Sequence, residues 1–239
     1  MPQLLSVVIP AYNEATRIKE TILKCSSYLI DKHLIHEIIV VDDGSTDKTV
    51  DVVQEIIKTL SNLILVKLQQ NKGKGAAVQY GMEVAIGDVR LFMDADGSTP
   101  IEEIERLLPL LESYDIIIGS RALNDSRVKR SQSWYRQLFG KFGNIIVRLL
   151  FGLQLYDTQC GFKLFNKRSA EFLFPKLILN RFGFDIEILA LGNKYGLKIK
   201  EVPVTWEHKE NSKVNYSDYI DVLISILKVK YRMLTGKYK

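Results

Sequence analysis

The stretch Leu4-Leu-Ser-Val-Val-Ile-Pro-Ala-Tyr-Asn-Glu14 decides the fold. A β-branched run over Leu4–Ile9 carries no charge and closes at Pro10, which cannot donate to a strand ladder. Polar side chains follow at once. A strand that is apolar almost continuously belongs in a sheet covered on both faces. Beyond it, Ile18, Ile22, Leu23 and Leu29 fall at helical spacing within Ala15–Ile30. The opening unit is therefore strand, polar elbow, helix.

The unit repeats. Glu37–Val41 predicts a second strand ending in Asp42-Asp43-Gly44, and Thr46–Leu60 a helix capped by Ser45 or Thr46. Leu63–Leu68 and Gly75–Ile86 predict the next strand and helix. Val89–Met93 is a fourth strand ending in Asp94-Ala95-Asp96-Gly97, then a helix over Ile101–Leu111 and a fifth strand over Asp115–Gly119. This alternation predicts an α/β fold, a mainly parallel, Rossmann-like sheet flanked by helices. Ligands bind such sheets beyond the carboxyl ends of the strands. The polar clusters Pro10–Glu14, Asp42–Asp47, Asp94–Thr99 and Ser120-Arg121 all sit there. No GxGxxG follows the first strand and no GxxxxGK[ST] occurs, which excludes dinucleotide enzymes and P-loop NTPases.

The second half is less regular. Asp157–Phe165 reads as a polar turn running into an extended segment, Phe184–Tyr195 as a helix, Lys198–Val204 as a strand and Val204–Asn215 as a polar loop. Tyr219–Leu234 has helical spacing, with Lys228, Lys230 and Arg232 toward its end. The expected organisation is a catalytic domain over 1–215 and a C-terminal amphipathic, membrane-interfacial helix over 216–239. Two cysteines exclude a disulfide framework, and His33, His36 and His208 lack metal-ligand spacing. Neither a signal peptide nor an 18-residue uncharged apolar stretch is found, so a reducing cytosol is the expected compartment.

Charge is uneven. The chain carries +5, yet Gly119–Leu150 alone holds seven basic residues (Arg121, Arg127, Lys129, Arg130, Arg136, Lys141, Arg148) against Asp125. Such a block is either a solvated face or a site for an anionic partner: phosphate, nucleic acid or a membrane surface. No nucleic-acid-binding motif accompanies it, so nucleic acid is not expected. The block runs into the apolar stretch Phe142–Tyr156, which suits a buried core helix or a helix lying in a membrane interface.

Asp94 and Asp96 carry the first chemical signal. In an extended segment positions i and i+2 share a side, and paired carboxylates repel unless a cation joins them. Oxygen ligands without His or Cys select Mg²⁺ or Mn²⁺. Asp42 and Asp43 serve either as turn caps or as acceptors for a base or ribose. In the elbow Pro10-Ala11-Tyr12-Asn13-Glu14, Tyr12 offers a stacking ring and Glu14 an acceptor. Asn71-Lys-Gly-Lys-Gly75 permits close backbone approach and sets Lys74 toward a phosphate.

Together, Pro10–Glu14, Val41-Asp-Asp-Gly-Ser-Thr-Asp47, Asn71–Gly75 and Asp94-Ala95-Asp96 resemble the family 2 glycosyltransferases of GT-A fold. Gly119-Ser-Arg121, Lys129-Arg-Ser131, Asp157-Thr-Gln-Cys-Gly-Phe-Lys-Leu-Phe165, Phe184-Asp-Ile-Glu187, Glu201-Val-Pro-Val-Thr-Trp206 and Ser212-Lys213 are similar to the dolichyl-phosphate glucosyltransferases. Related mannosyltransferases carry a Gln where Ser98 stands here, which favours UDP-glucose over GDP-mannose.

The resemblance implies an inverting transfer of a hexose from a nucleotide-sugar donor to a dolichyl or other polyprenyl phosphate. Asp94 and Asp96 would hold the ion. Pro10, Ala11, Tyr12, Glu14, Asp43, Lys74, Ala95, Gln159, Asp185 and Lys213 would line the donor site. Arg121, Arg130 and Ser131 would hold the acceptor phosphate, with Asp96, Asp157 and Arg121 closest to the reaction. Asp185 and Glu187 diverge on a helix, so one of them is expected in the site, Asp185 by preference. Cys160 is expected as a small buried residue and His208 in solvent. Eukaryotic relatives usually carry an N-terminal anchor that is not seen here, which points to a different polyprenyl phosphate as acceptor; because such a tail stays in the bilayer, the expectation is a peripheral protein on the cytoplasmic face of a membrane. Three alternatives remain open from sequence: a glycan hydroxyl acceptor, a GDP-mannose donor, and a non-catalytic nucleotide-sugar-binding protein.

Overall fold

The computed structural model describes residues 3–130, 134–209 and 216–238, with side chains described outside 129–142 and 216–220. Nine strands and eight helices follow in chain order among these residues: β1 (Leu5–Ala11), α1 (Ile18–Asp31), β2 (His36–Asp42), α2 (Thr49–Ile57), β3 (Leu63–Lys67), α3 (Lys74–Val84), β4 (Val89–Met93), α4 (Ile104–Leu107), β5 (Ile116–Ser120), β6 (Arg127–Arg130), α5 (Trp134–Phe151), β7 (Phe162–Asn166), α6 (Lys167–Leu173), α7 (Phe184–Lys194), β8 (Ile199–Pro203), β9 (Thr205–Glu207) and α8 (Tyr216–Leu234). Seven strands form one sheet in the order β3-β2-β1-β4-β7-β5-β8. β7 runs antiparallel between β4 and β5, and every other pairing in that sheet is parallel. β6 and β9 make a separate parallel pair.

Both faces of the sheet are buried, and the strand residues alternate between two apolar layers. Val8, Ile39 and Val41 join α3, α5, α6, α7 and α8 on one side. Val7, Ile9, Ile38 and Val40 join α1, α2 and α4 on the other. The helix α3 approaches β1 and β2 through Gly81, where a Cβ would lie 2.3 Å from Val8 Cγ1 and 2.9 Å from Val41 Cγ2.

Several elements differ from the sequence reading. Neither Ser45 nor Thr46 caps α2, which starts at Thr49 after Lys48 with no capping side chain. Their groups are used elsewhere: Ser45 Oγ accepts from Asn13 N, and Thr46 N donates to Asn13 Oδ1. The helix expected over Ile101–Leu111 is a single α turn between two 3₁₀ segments. Pro109 accounts for the second break, since it offers no backbone N–H and forces a tighter turn. The supposed polar loop after Val204 contains β9. α6 was missed, although Asn166 caps it by accepting from Ser169 N at 2.8 Å. The stretch expected from Phe142 belongs to α5 as far as Phe151, with Val147 and Phe151 buried in the core and Ile145 and Leu149 exposed.

The close passage at Gly81 yields a test. Gly81→Ala forces a methyl group into two rigid, fully buried valines and should cost about 1–3 kcal/mol, read as a lower urea midpoint with an unchanged m-value.

Candidate active site

The polar clusters at the carboxyl ends of β1, β2, β4 and β5 meet through a network of named contacts. The first two are clasped together. Asn13, at φ 54°, accepts from Thr46 N at 2.8 Å and Asp47 N at 3.3 Å. Glu14 N donates to Thr49 Oγ1 at 2.7 Å, and Ala15 N to Asp47 Oδ2 at 3.2 Å. Glu14 itself pairs with Arg17 at 2.7 Å. Pro10 and Ala11 lie in β1, in register with Val41 and Asp42. Tyr12 is exposed.

Asp43 ties the second cluster to the loop that leads into α3. Its Oδ1 accepts from Lys72 N and its Oδ2 from Gly73 N, each at 2.8 Å. Burial nevertheless pushes its pKa up against those two bonds. Gly73 requires its φ of 105°, and a Cβ there would lie 2.4 Å from Asn180 O. Next in sequence, Lys74 opens α3 and reaches Asp94 Oδ1 at 2.7 Å.

Asp94 and Asp96 do not lie in an extended segment as the sequence suggested. They occupy a turn closed by Gly97 N donating to Asp94 O at 3.3 Å. The two carboxylates still feel each other. Burial raises the Asp96 pKa first, and the Asp94 charge adds to it. Ser98 N donates to Asp96 Oδ1 at 2.9 Å, and Thr21 Oγ1 donates to Ala95 O at 2.8 Å.

Behind Asp94 stands a residue the sequence analysis did not single out. Asp94 N donates to Gly161 O at 3.1 Å. A Cβ on Gly161 would fall 1.9 Å from Asp94 Oδ2, so only glycine lets the strand β7 entrance press against this carboxylate. Lys163, two residues on, was also missed. It is fully buried, donates to Cys160 O at 2.6 Å and pairs with Asp185 Oδ1. Burial raises the Asp185 pKa, with Lys163 and Lys74 opposing. A lysine inside the apolar rhythm Phe162-Lys-Leu-Phe165 was the available signal, because a buried ammonium needs an acid.

Asp157 and Arg121 form a bidentate pair, Nε to Oδ2 at 2.7 Å and Nη2 to Oδ1 at 2.8 Å. Arg121 N also donates to Oδ2 at 2.9 Å. Burial alone would raise the Asp157 pKa, yet the adjacent guanidinium holds it below the usual range. Glu201 accepts from Asp157 N at 2.7 Å, and the Arg121 guanidinium lies 5.5 Å from the Trp206 ring. Gln159 is exposed. Glu187 turns away from this network: it accepts from Leu179 N at 2.9 Å and Tyr238 Oη at 2.5 Å. Cys160 is buried, and that burial pushes its thiol up to about 12. His208 is half-buried, 5.8 Å from Trp206 between ring centres, rather than in open solvent. Arg130 has its backbone in β6 but its side chain lies outside the described residues, as do Ser131 and Lys213 entirely.

Asp94, Asp157 and Asp185 each have a cation at contact distance. Asp96 has none among the described residues. A carboxylate whose folded pKa is raised destabilises the fold once ionised. That cost is absent below the ordinary value of 3.8 and sets in as pH rises through the raised one. Asp96→Asn should therefore raise Tm at neutral pH in EDTA, and the gain should shrink as the pH falls toward and below the ordinary value of 3.8.

Residues 6–174 match Glycosyl transferase family 2. The dolichyl-phosphate beta-glucosyltransferase of Dictyostelium discoideum is 36% identical over 249 residues, spanning 98% of this chain and 76% of that protein. The dolichyl-phosphate beta-glucosyltransferase of Saccharomyces cerevisiae is 34% identical, spanning 98% and 76%. Glucosyl-3-phosphoglycerate synthase from Mycobacterium tuberculosis, crystallised with Mn²⁺, UDP-glucose and phosphoglyceric acid, superposes with a TM-score of 0.69 at 19% identity, over 95% of this chain and 80% of that one. This last likeness speaks for the fold alone. The chain belongs to glycosyl transferase family 2: it is a glycosyltransferase of GT-A fold, related over nearly its whole length to the dolichyl-phosphate beta-glucosyltransferases.

Proposed function

We propose that this enzyme transfers glucose, with inversion, from UDP-glucose to dolichyl phosphate or a related polyprenyl phosphate. The observation that carries this reading is the meeting of Asp94, Asp96, Lys74, Asp185 and the Arg121–Asp157 pair at the carboxyl end of one sheet. The names of the relatives support the acceptor, and the Mn²⁺ and UDP-glucose in the mycobacterial synthase support the donor chemistry.

No group of three His, Cys, Asp or Glu converges as a metal site among the described residues. Two acids suit an ion that completes its shell with water and a diphosphate. Asp96, with no cation at contact distance among the described residues and destabilised by burial and by Asp94, fits that demand. Asp94 and Asp96 would hold Mg²⁺ or Mn²⁺. When bound, the ion supplies positive charge to the diphosphate as the C1–O bond to UDP breaks.

The chain's own residues do the rest. Asp43 fixes the loop Lys72–Gly73 where the nucleoside would lie, and Tyr12 offers its ring. Lys74, at Asp94 in this structure, adds positive charge to the site that would take the diphosphate. Asp157 takes Nε and Nη2 of Arg121, which leaves Nη1 for the acceptor phosphate. That oxygen is already ionised near neutral pH, so its attack on C1 needs positioning rather than a strong base. Arg130, Ser131 and Lys213 join the acceptor and donor sites in this reading, as do Gln159 and the elbow Pro10–Glu14.

A polyprenyl tail stays in the bilayer, so the enzyme must meet it there. No described helix is long and apolar enough to cross a membrane. α8 instead exposes Leu223, Ile224, Leu227, Tyr231 and Leu234, and α5 exposes Ile145 and Leu149. Lys230 of α8 donates to Leu150 O at 2.5 Å, holding the two helices together. We assign this apolar face, in the 216–239 segment and α5, to a membrane interface on the cytoplasmic side, with the residues up to 215 as the catalytic domain.

A panel of UDP-glucose, GDP-mannose, UDP-GlcNAc and UDP-galactose with a polyprenyl phosphate and Mg²⁺ or Mn²⁺ should show turnover with UDP-glucose. Turnover with GDP-mannose alone would overturn the donor assignment. Asp96→Ala should abolish ion-dependent turnover. Gly161→Ala, which displaces the Asp94 carboxylate, should lower kcat/KM on the order of 100-fold with little change in Tm. Leu227→Asp should reduce cosedimentation with anionic vesicles while turnover of a short-chain acceptor persists; equal sedimentation would remove α8 from the interface.

A further inference from the structure

Two ammonium groups share one aromatic ring in the site. Lys74 Nζ lies 5.1 Å and Lys163 Nζ 5.8 Å from the centre of Phe92. They differ in freedom. Lys163 is fully buried and held by both Cys160 O and Asp185. Lys74 retains 23% side-chain exposure on a flexible four-carbon stem. Two acids act on that one ammonium most strongly. Asp94 is at contact, and Asp185 attracts it through space. Lys163 occupies Asp185 Oδ1, which leaves Oδ2 to receive a second cation.

An ion taking Asp94 sets two positive charges beside the ammonium already on Oδ1, and their repulsion favours its release. A displaced ammonium in a partly desolvated site is costly unless another carboxylate accepts it. Asp185 is buried, rigid on α7 and already within electrostatic reach.

We propose that Lys74 is an exchangeable counter-ion: it neutralises Asp94 in the ion-free enzyme and passes to Asp185 when a divalent cation takes Asp94. Lys163 is then a positioning residue that aims Asp185 and keeps it ionised. The proposal rests on Asp94 and Asp96 as the ion ligands. It gives the enzyme a resident charge that resists ion binding until the refuge at Asp185 is occupied.

The test titrates Mn²⁺ alone, without nucleotide, into the full chain and reads free Mn²⁺ by its EPR signal. Lys74→Met should tighten binding about tenfold, equivalent to about 1.4 kcal/mol. Asp185→Asn should weaken binding several-fold in the wild-type background and leave it unchanged in the Lys74→Met background. A plain field effect of the lost carboxylate would instead weaken both backgrounds equally. That equality, or Lys74→Met binding like wild type, overturns the exchange and leaves the ion ligands in place. Absence of Mn²⁺ binding in both wild type and Lys74→Met overturns the ion reading and the exchange with it. Circular dichroism checks each fold. If Asp185→Asn does not fold beside a buried ammonium, the Lys163→Met/Asp185→Asn double variant removes both charges and is read in the same two backgrounds.

Discussion

Carboxylates gathered at the end of a parallel sheet repel one another, and their surroundings here answer that repulsion group by group. Lys74 meets Asp94, Lys163 meets Asp185, and Arg121 grips Asp157 with two parallel bonds. Asp43 is satisfied by backbone N–H groups rather than by a cation. In a site of reduced dielectric each of these pairings matters more than it would in water, and each unpaired group costs more. The pattern is lopsided around Asp96, which takes one backbone N–H and feels the charge of its neighbour. In the function proposed, a divalent ion answers that deficit.

Much of the site's precision comes from main chain brought close to carboxylates and to other main chain. Gly161 backs Asp94, and Gly73 backs onto Asn180. The segment 178–180 is itself tied down: Glu187 accepts from Ile178 N and Leu179 N, while Asn180 O accepts from Ala76 N in the first turn of α3. Tyr238, near the chain's end, closes this series by donating to Glu187. Tyr238, beyond the last turn of α8, thus reaches the loop beside Lys74 through three consecutive polar contacts.

The first five strands were legible because buried parallel strands are nearly continuous apolar runs, and Val89–Met93 appears with the bounds its sequence suggests. Asp185 and Glu187 were separable for a like reason, since helical geometry sends side chains two apart in different directions. What stayed hidden was mostly long-range. Nothing local in Phe162–Asn166 announces that the strand runs backwards between β4 and β5. Ser45 and Thr46 look like caps until Asn13, more than thirty residues earlier, claims them. Likewise Gly161 is unremarkable in sequence, and its meaning appears only when β7 lies alongside β4. Asp94 and Asp96 were readable as a pair of acids, whereas the lysine that meets Asp94 depended on how α3 is set against the sheet.

The antiparallel strand also has a consequence for synthesis on the ribosome. β5 pairs only with β7 and β8 in the main sheet. When residues 116–120 emerge, neither neighbour has been made, so an apolar edge must wait until at least residue 166 is translated. Over that interval the β3-β2-β1-β4 half can assemble alone, with β4 exposing its free side. A nascent chain in that state carries two unpaired strand edges destined for the same late partner, which β7 closes together, while the outer edge of β5 still waits for β8.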